Sequence, residues 1–94
     1  MIYLTHKPFE QEDLLLEVVE KKENHIVLYN DDVNTFEWVI DSLVDICRHD
    51  HIQAEQCSYI VHHAGKCSVK NGFFEELRPM CEALQLRGLS ATIE

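Results

Sequence analysis

The sequence predicts an α+β domain in the order β-α-α-β-α-β, with a three-stranded antiparallel sheet and three helices packed on one face. Three observations predict it. Three stretches carry apolar residues at helical spacing. Three shorter stretches around them are β-branched and aromatic, or alternate apolar with polar. The 94 residues suit one small core and leave little room for a second.

Residues 1–24 read as a flexible acidic arm, because FEQEDLLLEVVEKKEN mixes Glu and Lys with Leu-Leu-Leu and Val-Val. A strand at Leu16–Val19, turning at Lys21–Asn24, is the alternative. The core domain then spans residues 25–94. His25–Tyr29 is a strand by its β-rich content, and Asn30-Asp31-Asp32 ends it, since these side chains compete for backbone groups. Asn34 reads as the N-cap of the first helix, with Glu37 in capping-box position. Phe36, Val39, Ile40, Leu43, Ile46 and Cys47 form its apolar stripe. The second helix starts at Asp50, carries Ala54, Cys57, Ile60, Val61 and Ala64 inward, and closes at Gly65. Cys67–Val69 is a short strand and Asn71-Gly72 a turn. The third helix runs from Phe73 to Leu86 with Phe74, Leu77, Cys81 and Leu84 inward. Pro79 lies inside it and should kink it or split off its first turn. Gly88 caps it, and Leu89–Ile93 alternates as a final strand.

Charge narrows the function classes. Seventeen acidic residues face eight basic ones, for a net charge of -9. Nucleic acid is therefore not an expected partner, because phosphate binding needs a basic stripe. An anionic membrane surface is disfavoured likewise, and no apolar run approaches the ~18 residues of a span. Met1–His6 lacks the basic start of a secretion signal. The four cysteines form no C-x-x-C pair, so they read as reduced structural thiols in the cytoplasm.

The stretch VLYNDDVNTFEWVI carries the functional question. Asn-Asp-Asp before a helix has a plain explanation in turn chemistry and carboxylates near a positive helix end. Calcium fits poorly: counted from Asp31, the positions needing Gly and Glu in an EF-hand loop hold Phe36 and Ser42. His62, in the last turn of the second helix, shares a face with Ser58 and flanks Val61. Phe36 and Val39 lie one turn apart on the first helix. If the two helices pair, an apolar seam opens between them, rimmed by Asn30, Asp31 and His62. An ammonium has three donors and no acceptor, and these three side chains are acceptors. The arrangement suits a charged amine attached to a large apolar group, such as a bulky N-terminal residue.

NDDVNTFEWVIDSL followed by IVHHAGK resembles the ClpS family, bacterial adaptors of the Clp proteases. The match runs without a gap from His25 to Lys66, and more loosely through Glu75 to the last strand. The resemblance implies a monomeric adaptor with no catalysis and no cofactor. Such proteins bind substrates whose first residue is Leu, Phe, Tyr or Trp and hand them to an AAA+ unfoldase, ClpA or ClpC, for degradation by ClpP. By position, Asn30, Asp31 and His62 would hold the α-amino group. Asp32 and Asn34 would shape the loop and contact the peptide backbone. Phe36, Val39, Ser58, Val61 and Leu89 would wall the side-chain pocket, and Glu75 would face the unfoldase, which the arm would also engage. The chain departs from the family pattern in three places. Ser58 replaces a frequent Met, which leaves exclusion of β-branched first residues open. Phe36 replaces another Met, and the third helix is short and contains Pro79.

Two other classes compete. A domain of this fold can serve as a docking module without recognising N-termini; an Asn30→Ala change that spared all binding would favour it. An enzyme or metal protein would need His49, His51, His62, His63 and a cysteine. His49 and His51 flank the proposed cap and read as solvated, and His62 and His63 point in different directions on a helix.

Overall fold

In a computed structural model of the chain, which describes residues 2–5, 17–20 and 22–94, the periodic stretches are helices and the β-rich stretches pair in one sheet. The arm expected over residues 1–24 falls largely outside the described residues. Within it, β1 (Ile2–Thr5) and β2 (Glu17–Glu20) form a separate antiparallel pair. The core elements are β3 (Asn24–Tyr29), α1 (Phe36–Cys47), α2 (His51–Ala64), β4 (Lys66–Gly72), α3 (Phe74–Leu86) and β5 (Ser90–Ile93).

The sheet runs β4-β3-β5, antiparallel throughout, with the most apolar strand in the centre. Ile26 and Leu28 of β3, Val69 of β4 and Ala91 of β5 share a cluster with residues from all three helices. Ile40, Leu43 and Cys47 enter from α1, Ala54 and Val61 from α2, and Leu77, Cys81 and Leu84 from α3. The helices thus cover one face, as the patterning predicts.

The caps show where local signals hold and where they yield. Asp50 caps α2 through its Oδ1, which accepts from the Gln53 N–H at 2.8 Å. Gly65 closes α2 at φ 95, a conformation that costs glycine no Cβ clash. The cap of α1 is Thr35 rather than Asn34: the Thr35 hydroxyl accepts from the Trp38 N–H at 3.1 Å. The Asn34 side-chain amide instead donates to Asp31 within the loop and to Gly88 across the fold. The helix α3 is continuous through Pro79, so no first turn splits off. Pro79 lies one turn after Glu75, whose carbonyl therefore loses only one helical partner.

Two departures have tertiary causes. The strand β4 extends through Asn71 and Gly72, because these residues pair with His25 and Asn24 across the sheet. Its register shifts between Ile26↔Lys70 and Val27↔Ser68, which leaves Val69 as the extra residue of a bulge. The freed Val69 carbonyl accepts from His49 Nε2–H at 2.7 Å, and His49 is only 4% exposed. His49 is therefore a buried structural residue, not a solvated one. The bulge also presents Lys70, whose ammonium donates to the Cys47 carbonyl at 3.0 Å and so caps the negative end of α1.

All four cysteines are free thiols. Burial pushes Cys47 up to about 11 and Cys57 up to about 12, which keeps both protonated and unreactive.

Leu43 is fully buried, whereas Leu86 is 89% exposed at the end of α3. Leu43→Ala should cost about 2–5 kcal/mol of unfolding free energy, and Leu86→Ala less than about 0.5 kcal/mol. Urea denaturation of the two variants checks the pair.

Candidate functional site

The loop Asn30–Asn34 is organised by one carboxylate. Asp31 Oδ1 accepts from the backbone N–H groups of Val33 and Asn34, both at 2.9 Å. Its Oδ2 accepts from Asn34 Nδ2 at 2.9 Å. These bonds hold the Asp31 carboxyl below the usual carboxylate range, the Asn34 backbone N–H contributing most. The same Asn34 amide donates to the Gly88 carbonyl at 2.9 Å, so the loop is moored to the turn after α3. At its other end, the Asn30 N–H donates to the Gly65 carbonyl at 2.9 Å. That bond sets the loop against the last turn of α2, where His62 stands.

A second clamp aligns α1. Trp38 Nε1–H donates to the Arg87 carbonyl at 3.0 Å, and the Arg87 guanidinium lies 5.2 Å from the Trp38 ring centroid. Arg87 also pairs with Asp45 at 3.1 Å. Sequence patterning missed Trp38, Arg87 and Gly88 as positioning residues. The one tryptophan of the chain, on the polar side of an amphipathic helix, was the available signal.

Between α1 and α2, beneath this loop, lies a cavity of about 410 Å³. Its polar lining is Asn30, Asp31, Asp32, Asn34 and His62; Phe36, Val39 and Val61 supply apolar wall. Ser58 also lines it, at 3% exposure, and the Ser58 hydroxyl has no hydrogen-bond partner. A buried hydroxyl left unpaired costs about 1–3 kcal/mol. The lining thus combines acceptor side chains, of which Asn30, Asp32 and His62 are exposed, with hydrocarbon, which suits a cationic head on an apolar body.

The remaining nominated residues lie elsewhere. Leu89 is buried and lines an adjoining void of about 20 Å³, together with Leu28, Val39 and Val61, behind the loop. Glu75 is exposed in the first turn of α3, next to the end of β4 that pairs with Asn24. The cavity adjoins the opposite end, where Tyr29 pairs with Lys66. At about 3.3 Å per residue, six residues of β3 separate the two by roughly 20 Å. Among the described residues, no group of three or more His, Cys, Asp or Glu could hold a metal ion, and no helix is long and apolar enough to cross a membrane.

The hydrogen bonds to Asp31 give the loop a pH signature. Because the native carboxyl is depressed, their stabilisation is complete above the free Asp value of about 3.9 and is lost as pH falls through the native value. The Val33 and Asn34 amide NMR resonances should therefore stay fixed down to about pH 4 and shift together below it. A shared midpoint above the free value would contradict the arrangement.

With this geometry in hand, comparison with known proteins gives three findings. The family profile described as ATP-dependent Clp protease adaptor protein ClpS matches residues 19–92. The structure of Agrobacterium tumefaciens ClpS2 bound to L-phenylalaninamide is similar, with a TM-score of 0.74 and 22% sequence identity. The likeness covers 80% of this chain and 98% of that one. No curated protein matches this chain.

Proposed function

The chain belongs to the ClpS family of ATP-dependent Clp protease adaptors, and from that membership we propose that it binds proteins by a bulky hydrophobic first residue and delivers them to a Clp unfoldase. The observation that carries this reading is the composition of one cavity, acceptor side chains combined with apolar wall. The ligand of A. tumefaciens ClpS2, L-phenylalaninamide, has a free amino group and an aromatic side chain. Those are the two features this cavity suits.

In the proposed complex the ammonium donates to the Asn30 side-chain oxygen and to neutral His62. Asp31 adds its charge and a remaining lone pair, but most of its capacity already orders the loop. Asp32 and Asn34 meet the peptide backbone. Phe36, Val39, Ser58 and Val61 receive the side chain, and Leu89 backs the wall from behind. No bond in the substrate is made or broken, so the role is recognition alone.

The unfoldase, of ClpA or ClpC type and working with ClpP, docks at the other end. Glu75 lies there, and residues 1–24 join β3 at Asn24, beside the same end. The arm and Glu75 are thus the proposed unfoldase contacts, on a monomeric adaptor of the cytoplasm.

Blocking the amine tests the reading. A charge-assisted hydrogen bond contributes about 1.5–3 kcal/mol, so losing two should weaken binding at least ~100-fold. Fluorescence anisotropy with a labelled Phe-starting peptide should show tight binding that N-acetylation abolishes. His62→Ala and Asn30→Ala should each weaken it about tenfold or more. Equal affinity for free and acetylated peptide would favour a docking module that ignores the terminus.

A further inference from the structure

We propose that the buried Ser58 hydroxyl makes the pocket selective for an aromatic first residue that carries its own hydrogen-bonding group, tyrosine above phenylalanine. The inference rests on the N-terminal-residue reading just given, and names which residue that site prefers.

Ser58 is 3% exposed, lines the cavity, and has no partner for its hydroxyl. Buried polar atoms are nearly always paired in native proteins, so an orphan in a cavity wall points to a group that arrives with a ligand. Ser58 precedes His62 by four residues on α2, which puts the two on one face and about 6 Å apart along the axis. A first residue anchored at Asn30 and His62 sends its side chain down this face, past Phe36 and Val61. That depth matches the reach of a tyrosine from Cα to its hydroxyl. A phenol both donates and accepts, so it meets the serine hydroxyl in either sense. Phenylalanine and leucine fill the same wall and leave Ser58 unpaired. The small serine side chain also leaves room for a ring substituent at this level.

Titration with L-tyrosinamide, L-phenylalaninamide and N-acetyl-L-tyrosinamide tests the proposal, read by isothermal calorimetry on the full chain. Tyrosinamide should bind about three- to tenfold more tightly than phenylalaninamide. Ser58→Ala should bring the ratio to about one, and Ser58→Thr should retain the preference. Alanine is the better helix former and removes an unpaired hydroxyl, so the variant should melt no lower than the parent. Equal binding of the two free amides by the parent would overturn the role of Ser58 and leave the N-terminal reading standing. So would a tyrosine preference that survives Ser58→Ala. If neither free amide binds, or the acetylated amide binds as well as the free one, both readings fall together.

Discussion

The candidate site depends on one side-chain amide. Asn34 donates from a single nitrogen to the Asp31 carboxylate and to the Gly88 carbonyl, 54 residues away in sequence. The first bond closes the loop on itself. The second fixes that closed loop to the junction between α3 and β5. Without the first, Asp31 keeps the Val33 and Asn34 backbone N–H groups and the Ser90 side chain; without the second, the loop is held to β5 by Ser90 and to α2 by Asn30. A carboxylate in such a turn usually does no more than satisfy local donors. Here it orders a rim of acceptors over an apolar cavity, and the charge that orders the rim also favours a cation there.

The rest of the fold reads as support for that rim. Trp38 and Arg87 hold α1 to the same junction that Asn34 grips, so wall and rim share one anchor. The bulge at Val69 brings β4 under the α1–α2 connection, where His49 satisfies the freed carbonyl and Lys70 caps α1. Both helices that flank the cavity are thereby fixed at their remote ends, and their facing surfaces keep one separation. A pocket of this kind is preorganised, so binding need not order its own walls.

Much of this was legible in the residues. Helical phase placed Leu43, Val61 and Leu84 in the core, and Asp50 and Gly65 marked the limits of α2. The acceptors Asn30 and Asp31 and the placing of His62 on the face of Ser58 are properties of short sequence spacing, whereas Asp32, Asn34 and Leu89 were nominated through the family resemblance. What was illegible depends on distant partners. Asn34 looks like a cap, and only Gly88 explains why Thr35 caps instead. Asn71-Gly72 looks like a turn, and only its pairing with β3 makes it strand. His49 looks solvated until a bulge in β4 supplies a carbonyl for it. Phe36, Ile60 and Phe74 keep helical phase yet are 36%, 44% and 48% exposed, because each sits at the margin of a stripe wider than the face it packs on.

The placement of the cavity at one end of β3, with Glu75 and the root of the arm at the other, has a kinetic meaning. Under the proposed function, a partner that grasped the second end would cast no steric shadow over the first, so cargo and machine would have no cause to compete for this small domain. The cargo would then be a tethered reactant, held at a local concentration fixed by the tether rather than by its abundance. On that reading a weak, rapidly reversible grip on the terminus would be sufficient, because escape from the pocket and capture by the partner would become a race run at close quarters.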